Sequence, residues 1–377
     1  MAKKSGRRSE RPTDPRERAE SGRAVRSVVP RASLGDWTPA PDRDPLGVLS
    51  AQDKVRDQDL VPLRHSRMGV SPFTFYRGAA AVMAADLAPM PRTGLDVQLC
   101  GDAHLANFGV FASPDRAMVF DLNDFDETHP GPFEWDLRRL VASFEVAARD
   151  RSFDDPQRVQ IVADSVLSYV SAMRQYSTMS NLEVWYDRLT VDDIAQRWAA
   201  RASDDVLKRF RRNVDKARSK DRIRAFDKLV EVTDGAPRFR SDPPVLVPVR
   251  ELATGAERAA LMKAVDESLK LYRRTLAPDR RLLMDRYRFV DLARKVVGVG
   301  SVGTRCWVAL LIGNDETDPL FLQVKEANAS VLEAHLGYAA RWGWTDVKNG
   351  KVVGDAPIRG TETKTRPNTK PATFVAT

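Results

Sequence analysis

Three observations predict an α+β fold in which a helix-rich half comes first and an antiparallel β half follows. Over 154–232 and 256–276 the apolar residues recur at helical spacing, and Val159, Ile161, Val162, Val166, Leu167 and Val170 fit a buried stripe. After Pro278 the texture changes to strand-forming runs, Trp307 to Ile312 and Leu320 to Lys325, separated by the turn residues Gly313-Asn314-Asp315. The chain's 377 residues can bury one large or two ordinary cores, and its two cysteines, Cys100 and Cys306, are too few for a disulfide framework.

Taken in order, residues 1–45 open with Arg, Ser, Glu and Pro and almost no large apolar side chains, so a disordered basic segment is expected. A helix is expected from Arg77 to Leu87, beyond the Ser71-Pro72-Phe73 punctuation. Asp96 to Cys100 alternates like a short strand and enters a polar loop. Phe108 to Phe111 and Ala117 to Phe120 then read as a hairpin around Ser113-Pro114-Asp115. Four acids follow within seven residues, Asp121 to Glu127, before Gly131-Pro132-Phe133 opens a helix to about Ala148. Tyr287 to Val297 and the two later runs read as three antiparallel strands. From Gly337 onward hydrophobic periodicity gives way to Gly, Pro, Thr and Lys, and a poorly ordered tail is expected. The organisation is therefore a basic segment 1–45, an α-rich part 46–284, a β-rich part 285–336 and a tail 337–377.

The net charge of +8 is carried by the ends: residues 1–30 hold nine basic and four acidic side chains, residues 337–377 seven and three, leaving the body near neutrality. A near-neutral body argues against a phosphate-backbone surface as the main function. Nine basic residues between Lys208 and Arg224, with Arg64, Arg67 and Arg77, are candidates for holding an anionic substrate, ordinary surface charge being the alternative. A mean hydropathy of −0.40 and the lack of a long apolar stretch argue against a membrane protein. The N-terminus lacks the apolar core of a secretory signal, and a cytoplasmic protein is expected.

The first chemical constellation is Asp102-x-His104-x-x-Asn107 with Asp121 fourteen residues later. Phosphoryl transfer from a nucleotide needs a carboxylate to orient or deprotonate the acceptor and oxygen ligands for Mg²⁺, and a loop Asp, an Asn and an Asp after a hairpin supply those roles. In the alternative, these residues cap turns and His104 packs against the loop. The second is Gly298-x-Gly300-Ser301-x-Gly303, which matches a dinucleotide fingerprint in letters but leads into a strand-like run instead of a helix. A glycine-rich hairpin over a triphosphate fits better, a plain β-turn being the alternative. The third is Lys325, 22 residues past Gly303 at a strand end, placed to reach the α- and β-phosphates. The Asp121–Asp126 stretch has Phe125 and Asp126 at the fifth and sixth positions of an EF-hand register, and His65, His104, His129 and His335 lack zinc-site spacing, so the metal implied is a hard one.

The segments GDAHLANFG, VFDLNDFDE, GPFEWDLRRL, SPFTFYRG, ARKVVGVGSVGTR and FLQVKEA together resemble the bacterial family called domain of unknown function 2252, over roughly residues 60–336. That family in turn resembles the protein-kinase-like superfamily of aminoglycoside and choline phosphotransferases. The resemblance implies a two-lobe kinase-like fold with ATP and Mg²⁺ as cofactors. It implies Asp102 as base beside His104, Asn107 and Asp121 as Mg²⁺ ligands with Asp124 competing for the second place, and Asp136 as a structural brace. Gly298, Gly300, Ser301, Gly303 and Lys325 become the nucleotide clamp, with Glu333 a weak candidate for the acidic partner of Lys325. Because glycines and lysine follow the loop by about two hundred residues, the lobe order must be circularly permuted. Relatives continue with helical sequence beyond the counterpart of Glu333, which implies a C-terminally incomplete chain. The expected activity is phosphoryl transfer to an unknown small-molecule or protein hydroxyl, with nucleotide binding without catalysis, or nucleotidyl transfer to protein, as alternatives.

Overall fold

The computed structural model describes residues 14–199, 202–218, 222–326, 328–337, 346–348, 351–353 and 372–376. The first helix, α1 (Pro15–Val28), has Asp14 accepting the Arg16 amide at 2.7 Å and Pro at its first turn, and buries no side chain. It occupies the part of the basic segment expected to lack structure, for a local reason: poor apolar content prevents packing but does not prevent a capped helix. Residues 1–13 of that segment lie outside the described residues.

Four short helices follow: α2 (Pro45–Asp53), α3 (Val61–Met68), α4 (Pro72–Arg77) and α5 (Ala80–Leu87). The helix expected over 77–87 is thus two pieces. Ser71 and Thr74 form a reciprocal cap that starts α4, and Gly78 ends it where a Cβ would sit 2.8 Å from the Met68 side chain. Next, β1 (Asp96–Leu99) enters the polar loop, β2 (Phe108–Ala112) and β3 (Met118–Leu122) make a hairpin, and β4 (His129–Pro132) returns antiparallel to β1. The long helices α6 (Phe133–Asp150) and α7 (Asp155–Thr178) form an antiparallel pair, with Phe133 stacked on Tyr169 at 6.2 Å.

The buried stripe expected on α7 is a correction. None of its side chains is fully buried, and Val159 and Leu167 are 69% and 64% exposed. Periodicity identifies an amphipathic helix, but among the described residues α6 is its main cover, so the stripe is half-buried at Ile161, Val162, Val166 and Val170. Helices α8 (Asn181–Tyr186), α9 (Val191–Ala199), α10 (Asp204–Arg218) and α11 (Arg222–Leu229) complete the helical stretch.

Strands begin earlier than the texture change at Pro278. A hairpin, β5 (Val230–Thr233) with β6 (Ala236–Phe239), and β7 (Leu246–Pro248) precede α12 (Val249–Leu252), α13 (Gly255–Thr275) and α14 (Pro278–Met284). The expected strands appear as β8 (Arg288–Lys295), β9 (Cys306–Ile312) and β10 (Pro319–Glu326), antiparallel and in sequence order, with β7 on the β8 edge. A four-residue helix, α15 (Glu333–Leu336), comes next. Within the expected tail, β11 (Asp346–Lys348) pairs with β12 (Lys351–Val353) and β13 (Ala372–Ala376) pairs with β10; the rest lies outside the described residues.

Both faces of the central strand are covered, which is why its sequence is a continuous apolar run. Val308, Leu310 and Ile312 pack with Phe239, Phe321 and the α11 residues Phe226 and Leu229, while Ala309 and Leu311 pack with Val249, Leu322 and Leu269 of α13. The Leu310→Ala variant is expected to lose about 2–5 kcal/mol of stability, readable as a lower urea midpoint with an unchanged slope, because Leu310 has no exposed surface.

Candidate functional site

Helix α6 carries three polar residues on one face, Asp136, Arg139 and Ser143, at i, i+3 and i+7. All three reach the polar loop after β1. The Asp136 carboxylate accepts the amides of Cys100 at 2.6 Å and Gly101 at 2.9 Å, and the Ser143 hydroxyl accepts the Leu105 amide at 2.9 Å. Arg139 donates from Nε to Asp102 Oδ1 at 2.7 Å, with Nη2 at 2.7 Å from the same oxygen. Gly101 makes the turn possible: its φ is +84°, and a Cβ there would lie 1.9 Å from the Glu127 carbonyl oxygen.

Asn107 closes the loop from within, its Nδ2 donating to the Asp102 carbonyl at 2.7 Å, which leaves its amide oxygen for another partner. Its own carbonyl accepts the Asn123 amide at 2.9 Å and so ties the loop to the acidic stretch after β3. His104 is buried, with Nε2 3.8 Å from Asp102 Oδ2 and Nδ1 without a hydrogen-bond partner among the described residues. Burial pushes its imidazole down to about 4; Asp102 opposes this, and the guanidiniums of Arg139 and Arg77 add to it. His104 is therefore neutral at physiological pH and beyond hydrogen-bond reach of Asp102.

The acidic stretch meets the β-rich part at Lys325. Its ammonium lies 3.2 Å from Asp126 Oδ2 and 3.8 Å from Asp124 Oδ1, joining residues 199 positions apart. Asp124 is pushed up to about 6 by burial and by Asp126, with Lys325 opposing and Asp102 near enough to contribute. Asp121 sits elsewhere: it is an exposed β3 residue opposite Gly109, with its carboxylate accepting the Leu122 amide at 2.7 Å. Of the two aspartates weighed for the second metal position, Asp124 is the one beside Lys325. Glu333 opens α15, and Asp136 is also raised to about 6, by burial. Among the described residues, no group of three or more His, Cys, Asp or Glu side chains is gathered to hold a metal.

The glycine turn between β8 and β9 rests on the early helices. Val299 packs with Leu49, Met68 and Val82, and Val302 with Leu60. Its carbonyls are taken: Gly298 by Arg67 Nη1 at 2.8 Å, Val302 by Arg56 Nη1 at 2.6 Å and Gly303 by the Asp57 amide at 2.8 Å. Ser301 turns inward, its hydroxyl donating to the Val297 carbonyl at 2.8 Å. The amides of Gly298, Val299, Gly300, Ser301 and Gly303 make no hydrogen bond among the described residues. Gly298 and Gly303 have φ of +66° and +87°, so the turn demands glycine at both. Lys325 pairs across the sheet with Cys306, just beyond this turn.

Against known families, the one described as an uncharacterized protein conserved in bacteria (DUF2252) matches residues 56–353. The chain belongs to this family. The match takes in the loop of Asp102, the acidic stretch, α6, the glycine turn and Lys325. No curated protein and no solved structure matches the chain. Among the described residues, no helix is long and apolar enough to cross a membrane.

Two participants escaped the sequence reading. Arg139 was legible in principle, since it lies three residues after Asp136 and so on the same helix face. Asp126 as a lysine partner had no local signal. Of the basic candidates, Arg64 is fully buried and bonded to Asp53 Oδ1 at 2.5 Å, and Arg67 holds the Gly298 carbonyl, so both serve the structure.

Replacing Gly101 by Ala should cost about 3 kcal/mol or more, because strain and collision with backbone coincide; thermal unfolding reads it directly. His104 sets an acid limit. An imidazole at about 4 when folded, against 6.5 unfolded, binds fewer protons in the folded chain, so its contribution is intact above pH 6.5 and is lost as pH falls toward 4. The His104→Gln variant should remove that loss, on the order of 3 kcal/mol, in urea titrations across that range.

Proposed function

We propose that this protein is an ATP- and Mg²⁺-dependent phosphotransferase of protein-kinase-like type, with the catalytic loop in the first part of the chain and the nucleotide-binding strands after it. The observation that carries the reading is the meeting of Lys325 with Asp124 and Asp126, beside the loop of Asp102. A lysine on the second strand after a glycine turn, facing an aspartate next to the proposed catalytic loop, is the arrangement phosphoryl transfer needs.

The donor set fits magnesium. Asp124, Asp126 and the amide oxygen of Asn107 are hard ligands, and burial together with the Asp126 carboxylate, only partly offset by Lys325, raises Asp124. A nucleotide-bound Mg²⁺ takes one or two carboxylates and completes its shell with phosphate oxygens and water, so a cage of three acids is not required. Asp124 and Asn107 would hold the ion, which supplies neutralisation of phosphate charge when bound. The unpaired amides of the glycine turn suit phosphate oxygens, since the carbonyls that would repel them are tied back by Arg56, Asp57 and Arg67.

Asp102 is the acceptor-side group. Its carboxylate orients the acceptor hydroxyl and takes its proton as the acceptor oxygen bonds to the γ-phosphorus and the bond to the β–γ bridging oxygen breaks, with ADP leaving. Arg139 fixes one carboxylate oxygen of Asp102, and Asp136 and Ser143 fix the backbone on either side. Neutral His104 adds bulk and a polar edge to the loop without a competing charge.

ATP with Mg²⁺ at about 100 times its dissociation constant should stabilise the folded chain by about 2.7 kcal/mol, seen as a higher melting temperature. That rise should vanish in Lys325→Ala and Asp124→Ala and persist in Asp121→Ala and Asp102→Ala, the last binding nucleotide without turnover. Loss in Asp121→Ala with retention in Asp124→Ala would move the metal position back to Asp121. A folded wild type with no rise would overturn the reading.

A further inference from the structure

Residues Ser71 to Gly78 run between the two halves of the proposed site, fastened to each. On one side, the Tyr76 hydroxyl donates to the Arg139 carbonyl at 2.8 Å, the Tyr76 carbonyl accepts Arg139 Nη2 at 2.8 Å, and the Arg139 guanidinium lies 4.2 Å over the Tyr76 ring. On the other, the Gly78 carbonyl accepts Arg64 Nη2 at 3.3 Å, and a Cβ added at Gly300 would sit 3.2 Å from the Arg77 carbonyl. Arg77 therefore stands at the junction of the catalytic loop and the glycine turn, near enough to His104 to act on its imidazole.

Its guanidinium differs from those around it. Arg64 is bonded to Asp53, Arg139 to Asp102, Arg56 and Arg67 to carbonyls of the glycine turn. Arg77 is half-buried, its Nε is wholly shielded, and among the described residues it has no hydrogen-bond acceptor and no ion pair. The shielded Nε is a donor that lacks an acceptor among the described residues, and a ligand oxygen would supply one. The turn beside it presents amides that also lack acceptors. A planar guanidinium, on a residue whose backbone adjoins a turn with unbonded amides, supplies with them the groups that bind a phosphate dianion, the guanidinium through two parallel hydrogen bonds.

We propose that Arg77, together with the unpaired amides of the glycine turn, forms a phosphate-binding site between the catalytic loop and that turn. The proposal rests on the phosphotransferase reading for which phosphate it receives, one in the nucleotide chain or one carried by the acceptor. Oxyanion binding itself is independent of nucleotide and metal and is measured without either.

The test is thermal unfolding of the full chain in metal-free buffer with inorganic phosphate, potassium chloride keeping the ionic strength constant. Wild type should melt higher as phosphate is added. The Arg77→Gln variant should bind phosphate at least about tenfold more weakly than wild type. The Arg77→Lys variant, which keeps the charge and loses the fork, should fall between them and decides the matter if the glutamine variant does not fold. No phosphate response in wild type, or an equal response in all three proteins, overturns the site.

Repeating the titration with saturating ATP and Mg²⁺ separates the sources: a phosphate response that disappears assigns Arg77 to the nucleotide chain, and one that persists assigns it to the acceptor. A phosphate response lost in Arg77→Gln while ATP with Mg²⁺ has no effect on wild type leaves the anion site standing and removes the phosphotransferase reading. The converse pattern removes the anion site alone.

Discussion

The grip of one helix on one loop is the constraint from which the rest of the site follows. Residues 100–107 contain a positive-φ glycine, three ionisable side chains and an asparagine turned back on its own backbone, with a single short turn at Leu105–Asn107 as their regular structure. It persists because Asp136, Arg139 and Ser143 project from a single face of α6 at the spacing that matches the loop. Helix rigidity converts three separate hydrogen-bonding groups into one fixed template. Burial of Asp136 and Arg139 makes the template costly to assemble from charged parts, and the mutual satisfaction of loop and helix is what offsets that cost.

A second constraint is the balance of charge where the two parts of the chain meet. Asp124 and Asp126 oppose each other, and Lys325 relieves part of the repulsion, so the acidic stretch is held in place by a cation from a different sheet. The early helices do the corresponding work on the other side. Asp57 takes Arg294 at 2.9 Å and gives its amide to Gly303, while Arg56 and Arg67 cap neighbouring carbonyls. The glycine turn is thereby a fixed surface built against α2, α3 and α5, with side chains of the α-rich part completing the β-rich part.

Local chemistry in the sequence was a reliable guide to elements, and a poor one to what covers them. The β2–β3 hairpin and the β8–β9–β10 order are legible because strand-forming runs alternate with turn residues. The apolar run of β9 also reports burial on both faces. Strand β7 is only three residues long and follows Pro243-Pro244, so nothing local marks it as part of the sheet. Helix α7 shows the opposite failure, a convincing periodic stripe that, among the described residues, is covered mainly by α6. In the candidate site, Asp102, His104 and Asn107 stand out as a motif, because loop turns and chemistry demand the same residue types, whereas Asp136 was reached only through the family resemblance. Arg139 looks like a solvated helix residue until the loop is in place, and the meeting of Asp126 with Lys325 depends on tertiary structure alone. Spacing ranked Asp121 ahead of Asp124 as the second metal position with both kept; it carried no signal that Asp124 lies beside the lysine.

The separation of 199 residues between Asp126 and Lys325 also orders events in time. During synthesis the loop and α6 emerge within some forty residues of each other, so the loop can be templated early. The acidic pair must then wait for its lysine for about 10–40 s at ordinary translation rates. Through that interval two neighbouring carboxylates have no cation from the β-rich part and remain hydrated, which disfavours premature closure of the loop region against anything else. Final assembly of the site is thereby coupled to completion of the last long strand, and the nascent chain holds no finished site until its sheet is built.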